Sequence, residues 1–147
     1  MQTGDTKYLQ LSRDLRHLLA GDWITHILVA LRDGPLHYKD LHAAIEAMTT
    51  YDPWTGTVRS IQPRVMVRTL RRMETAGLVN REDQQTFPRS VIYSLTPAGA
   101  DLLIKGQPLV DWAQEHIDLI HRLQQASVKS QDLQPEASDE ADDDVSD

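Results

Sequence analysis

Apolar residues recur along this chain in short stripes of helical spacing, broken once by two runs of strand-like composition. Leu11, Leu15, Leu18 and Leu19 form one stripe within Leu9–Leu19, which stops near Gly21. Asp22 is placed to cap a second helix, Trp23–Arg32, with Trp23, Ile27, Leu28 and Leu31 on one side; Asp33-Gly34-Pro35 ends it as a turn. A third helix, about Tyr38 to Met48, turns Leu41, Ala44, Ile45 and Met48 inward. Residues 49–60 (TTYDPWTGTVRS) read as a loop. Pro63 suits the first turn of a fourth helix, where its missing N–H has no partner to lose, and Gly77 suits the left-handed residue after the last turn.

Leu78–Arg81 and Arg89–Leu95 alternate and carry β-branched residues, so they are expected to pair as a hairpin with EDQQTFP as a long tip. Thr96-Pro97 is a helix start, a hydroxyl cap followed by proline. Gly106-Gln107-Pro108 is expected to divide the C-terminal region into one helix to about Lys105 and another from Pro108 to about Gln125. From Ser130 large apolar residues almost vanish, and the segment is expected to be disordered. The fold class that results is mainly α with a small β-hairpin wing, a winged helix-turn-helix over residues 1–129 followed by an acidic tail, 130–147.

The fourth helix has two opposed faces. At about 100° per residue, Met66, Leu70, Met73 and Gly77 fall within about 60° of one another. Arg64, Arg68, Arg71 and Thr75 share an arc of similar width about 160° away. One side can pack a core while the other presents guanidinium groups, whose planar fork bridges phosphate oxygens or the O6/N7 edge of guanine. In the position of a recognition helix, about Gln62–Ala76, this face is expected to contact double-stranded DNA through Gln62, Arg64, Val67, Arg68, Arg71 and Arg72, with Gln62 suited to adenine. Arg89 and Arg81 flank the wing tip, within reach of a phosphate or the minor groove, although Glu82 and Asp83 share that hairpin. A solvated arginine face, an architectural DNA binder, or an interaction module whose arginines meet an acidic partner or the chain's own tail are the alternatives.

Charge is divided along the chain. The net charge of −7 is concentrated in residues 130–147, which hold eight acids and no base; residues 1–129 carry fourteen acids against fifteen bases. Residues 59–89 alone have seven arginines against three acids. The tail reads as a solvating extension or as a competitor with DNA phosphates for the arginine face. Cysteine is absent, which excludes disulfides and thiol chemistry from these residues and suits a cytoplasmic, nucleoid-associated protein. No signal-peptide pattern and no membrane-length apolar run is present. The six histidines show no metal-ligand spacing, no phosphate-binding or nucleophile motif occurs, and no enzyme, cofactor or metal is expected.

Several segments, in order, resemble HxlR-type regulators: Gly21-Asp-Trp-Ile-Thr-His-Ile-Leu-Val-Ala-Leu, Leu36-His-Tyr-Lys-Asp-Leu-His-Ala-Ala-Ile, Gln62 through Val79, Phe87 through Gly99, and Leu109-Val-Asp-Trp-Ala-Gln-Glu-His. The resemblance covers about residues 9–120. It implies a transcriptional regulator acting as a homodimer, built on N- and C-terminal dimerisation helices, with two recognition helices on a pseudo-palindromic site. The chain differs from the family in two respects. The N-terminal cysteine through which several members sense oxidants is missing, so that mechanism is not expected. The Met48–Ser60 connection is longer than usual and brings Arg59 into consideration as a DNA contact. Trp23, His26, Tyr51, Trp54 and Trp112 form a candidate ligand or dimer pocket, with core packing as the simpler reading for Trp23 and Trp112. No particular effector is implied.

Overall fold

The computed structural model describes residues 3–21, 23–48 and 51–133. The elements run α1 (Thr3–Leu18), α2 (Ile24–Ala30), β1 (Leu36–His37), α3 (Tyr38–Ala47), β2 (Tyr51–Asp52), β3 (Thr57–Val58), α4 (Pro63–Thr75), β4 (Val79–Gln84), β5 (Ser90–Leu95), α5 (Pro97–Glu115) and α6 (Ile117–Asp132).

The apolar stripes meet where the spacing placed them. Ile24, Ile27 and Leu28 of α2 with Leu31 just after it, Leu41 and Ile45 of α3, Ile61, and Met66, Leu70 and Met73 of α4 close on Leu78, Val79 and Tyr93 at the base of the hairpin. Fully burying each such side chain stabilises by about 1.5–3 kcal/mol, so this cluster holds α2, α3 and α4 as a unit. Leu102 and Leu103 of α5 pack on its edge.

The C-terminus of α4 is closed by Gly77, at φ 77°. Its N–H reaches the Glu74 carbonyl at 3.0 Å and the Leu78 N–H reaches Met73 at 2.9 Å, the paired bonds of a left-handed cap. The chain then enters β4, which pairs antiparallel with β5 from Val79↔Leu95 to Gln84↔Ser90. Thr96 ends the hairpin and starts α5, its hydroxyl accepting from the Gly99 N–H at 3.0 Å and donating to the Gly77 carbonyl at 2.6 Å.

Several boundaries depart from the sequence expectations. Helix α1 begins at Thr3 rather than Leu9, with Asp5 in its first turn and Arg16 in its last, charges that suit the helix dipole. Asp22 lies outside the described residues, and Trp23 occupies the position before α2 without a side-chain cap. Leu36 and His37 form a strand that pairs with Tyr93 and Ile92, so the wing is the outer part of a three-stranded sheet, β1-β5-β4. Strand β4 runs on to Gln84 because ladder pairing uses the backbone and tolerates polar side chains on an exposed strand; Ser90 Oγ donates to Gln84 Oε1 at 2.8 Å across its end.

The segment expected as a loop contains a second small hairpin, β2–β3. The Asp52 carboxylate accepts from the Trp54 N–H at 2.9 Å, and the Asp52 carbonyl from the Gly56 N–H at 2.8 Å, so one aspartate organises the turn. Helix α5 passes through Pro108 without ending, and the break falls at His116 instead. Proline removes one helical bond, to the carbonyl of Ile104, but both residues are exposed and water can serve that oxygen. Helix α6 continues past the expected Gln125, and past Ser130, to Asp132. Residues 134–147 lie outside the described residues.

Candidate nucleic-acid interface

Helix α4 is positioned by its buried face. Met66, Leu70 and Met73 are 0–1% exposed, which leaves Arg64, Arg68 and Arg71 on the opposite side in solvent. These three arginines, with Pro63 and Val67, line one shallow concavity along the helix. No ion pair among the described residues involves any of the three. Gln62 sits exposed at the N-cap position and makes no capping bond, so its amide remains available beyond the helix start. Val67 is 37% exposed on the flank of the arginine row.

A second concavity runs between α4 and the sheet, lined by Tyr38, Val67, Arg71, Glu74, Arg81, Val91 and Tyr93. Arg71 and Arg81 therefore face a common groove although ten positions separate them in sequence. Arg81 is paired with Asp83 at 2.8 Å. The hydrogen bond with the Tyr93 side chain and then that with Asp83 hold its guanidinium above the ordinary arginine range. Tyr38 is not among the DNA contacts expected from the sequence. It opens α3 directly after β1, and only the pairing of β1 with β5 brings it beside Val91 and Tyr93. Arg89 is exposed at the wing tip beside Ser90, lining a recess with Asp83, Gln84 and Gln85.

Arg72 departs from the expected set. It lies about 100° around the helix from Arg71, and its guanidinium donates to the carbonyls of Ala20 and His17 and, at 3.4 Å, of Leu18. These carbonyls lie at and just beyond the C-terminus of α1, the end of a helix that favours a cation. Arg72 fastens α1 to α4 and is spent on that contact. Arg59 is half-buried after the β2–β3 hairpin and is engaged within the chain.

The five aromatic and histidine side chains proposed as a pocket do not converge. Trp23, 7% exposed, is part of the core and meets His26 with ring centroids 4.9 Å apart. Trp112 stacks on His116 at 4.6 Å on the outer side of α5. Tyr51 and Trp54 lie exposed on the β2–β3 hairpin, where the Trp54 carbonyl accepts from Ser127 Oγ of α6 at 3.3 Å. The ring contacts among the described residues thus leave these groups in three places. Three or more metal-ligating side chains are nowhere grouped among the described residues.

Comparison with known proteins gives the family and the fold. The HxlR-like helix-turn-helix family model matches residues 18–121. An HTH-type transcriptional regulator of Methanothermobacter thermautotrophicus is 29% identical over 111 residues, covering 76% of this chain and 75% of its own length. Among solved structures, a transcriptional regulator of Enterococcus faecalis described as of the MarR family superposes with a TM-score of 0.60 at 29% identity, over 78% of this chain and 93% of that one. The redox regulator HypR in its reduced form has the same fold, with a TM-score of 0.59 at 22% identity over 76% and 97% of the two chains.

Proposed function

We propose that this chain, which belongs to the HxlR-like helix-turn-helix family, reads specific double-stranded DNA sequences as a homodimer, with α4 in the major groove. It is a transcriptional regulator with a winged helix-turn-helix fold. The observation that carries the finer reading is the row formed by Arg64, Arg68 and Arg71, exposed, without ion pairs among the described residues and held opposite the buried Met66–Leu70–Met73 stripe. Such a row offers bidentate donors to guanine edges and phosphates along a groove that admits one helix. Gln62 and Val67 extend it toward base edges, and Arg89 meets the backbone from the wing. Arg72 holds the helix in place and does not touch DNA.

Dimerisation is supported by the apolar residues that the terminal helices leave uncovered. Tyr8, Leu9, Leu11 and Leu15 of α1, and Leu109, Trp112 and Leu123 of α5 and α6, are all between 38% and 72% exposed. A monomer rarely presents that much apolar surface on its terminal helices, and a second copy can cover it. Trp112 belongs to this interface rather than to a ligand pocket. The regulator works without a cysteine switch, since HypR is named a redox regulator but this chain has no cysteine. Neither catalysis nor a cofactor enters this function, and its place is with the nucleoid; no described helix is long and apolar enough to cross a membrane.

The test is selection from a randomised duplex pool with the wild-type chain and an Arg64→Ala/Arg68→Ala/Arg71→Ala variant. Enrichment of a two-fold-related motif by the wild type, lost in the variant, is the expected result. Failure of both to enrich any motif, at low and moderate salt, would point instead to a protein partner for the arginine face.

A further inference from the structure

The arginine face has a candidate occupant within the chain itself. Residues 134–147 carry seven acids (Glu136, Asp139, Glu140, Asp142, Asp143, Asp144 and Asp147) and no base. The basic groups elsewhere are partly committed: Arg81 to Asp83, Lys105 to Asp101, and Arg72 to the end of α1. Arg64, Arg68 and Arg71 instead stand together on one exposed face, and none of them belongs to an ion pair among the described residues.

The fold sets α6, which leads into the acidic segment, against the hairpin that precedes α4. Ser127 of α6 touches Trp54 of the β2–β3 hairpin, at 3.3 Å to its carbonyl, and the same hairpin leads directly into α4. Leu133 is about 9 Å further along α6. The path from Leu133 through Ser127, Trp54 and Thr57 to Arg64 is at most about 50 Å, and fourteen extended residues span about 48 Å. The through-space distance is shorter than this path, so the segment is long enough for its acidic end to reach Arg64.

From this charge division and reach we infer that residues 134–147 dock on the Arg64–Arg68–Arg71 face of α4, held by charge rather than by shape. The carboxylates occupy the positions that phosphates would take, and the tether keeps them at an effective concentration of about a millimolar. The docking stands on charge and reach alone; its consequence, competition with DNA, rests on the function proposed above. The competition weakens non-specific binding most, because that binding is almost wholly phosphate contact, and a specific site adds base contacts the tail cannot imitate.

The absence of cysteine makes a single label unambiguous. A nitroxide is attached to the full chain through Ser146→Cys, and paramagnetic broadening of backbone amides is recorded at low salt. The expected result is broadening concentrated on residues 63–71. It should be lost at 1 M salt, in the Arg64→Ala/Arg68→Ala/Arg71→Ala variant, and in a full-length chain with all seven tail acids changed to Asn or Gln. Broadening spread evenly over the surface, or centred elsewhere, overturns the inference.

Duplex binding is measured in parallel with a labelled DNA of arbitrary sequence. The chain with the neutralised tail should bind about tenfold more tightly at 50 mM salt, and the two chains should converge by 0.5 M. Equal binding by both chains at low salt, with no broadening on α4, removes the tail inference and leaves the DNA reading standing. Broadening on α4 with no duplex bound by either chain does the reverse.

Discussion

A Cβ built on Gly99 would lie 2.2 Å from the carbonyl oxygen of Leu78. Backbone therefore meets backbone where the first turn of α5 crosses the start of the wing. The same Leu78 carbonyl accepts from the Thr96 N–H at 3.1 Å. This node fixes the angle between α4, the wing and the long helix α5, because three elements share it with no side chain between them.

Gly99→Ala should accordingly be costly for a substitution that adds one methyl. Neither contacting atom can move without shifting a helix or a strand, and a loss of about 2–4 kcal/mol is expected. Urea unfolding followed by circular dichroism measures it; a loss below about 0.5 kcal/mol would mean that α5 slides freely at this crossing.

Thr96 tests the same node through its hydroxyl. Thr96→Ala removes the α5 cap and leaves the Gly77 carbonyl without its donor, so about 1–2 kcal/mol should be lost, most of it restored by Thr96→Ser. Equal losses for alanine and serine would assign the effect to packing of the methyl group.

Arg68→Ala and Arg72→Ala should separate reading from positioning. Arg68→Ala is expected to cost about 1–3 kcal/mol in binding the selected site while leaving the melting temperature unchanged. Arg72→Ala should instead speed amide exchange in the last turn of α1, where its bonds to Ala20 and Leu18 end. The opposite assignment, with Arg72→Ala abolishing site discrimination and α1 undisturbed, would place Arg72 in the groove.

Leu123→Asp and Trp112→Asp place a charge on the outer face of α5 and α6, where the native side chains are 51% and 47% exposed. In sedimentation both variants should run as folded monomers, with weakened binding to a two-fold site. A wild-type chain that is itself monomeric at micromolar concentration would refute the dimer.

Much of the geometry of the candidate interface was legible in the chain because its determinants are local. The angular separation of Arg64, Arg68 and Arg71 from Met66, Leu70 and Met73 comes from helical periodicity alone. Gly77 and Thr96-Pro97 mark their caps because left-handed backbone and a hydroxyl N-cap are properties of single residues and their immediate neighbours. The β2–β3 hairpin had a readable signal, Tyr51-Asp52 and Thr57-Val58 around Pro53 and Gly56, but strands of two residues are too short for alternation to show.

The order of residues was enough to set which faces are apolar, where most helices stop, and that the bases gather on α4 while the acids gather at the end. Which arginine remains available was settled only by folding. Arg71 and Arg72 are adjacent and chemically identical, yet one faces solvent beside a groove and the other closes on the carbonyls of α1. Tertiary packing also added β1 to the wing and set Ser127 against Trp54. One cause is common to all three. A backbone cap or an amphipathic stripe is set by neighbours a few residues away, whereas the partner of a long side chain or a strand edge is supplied by chain distant in sequence, which only folding brings near.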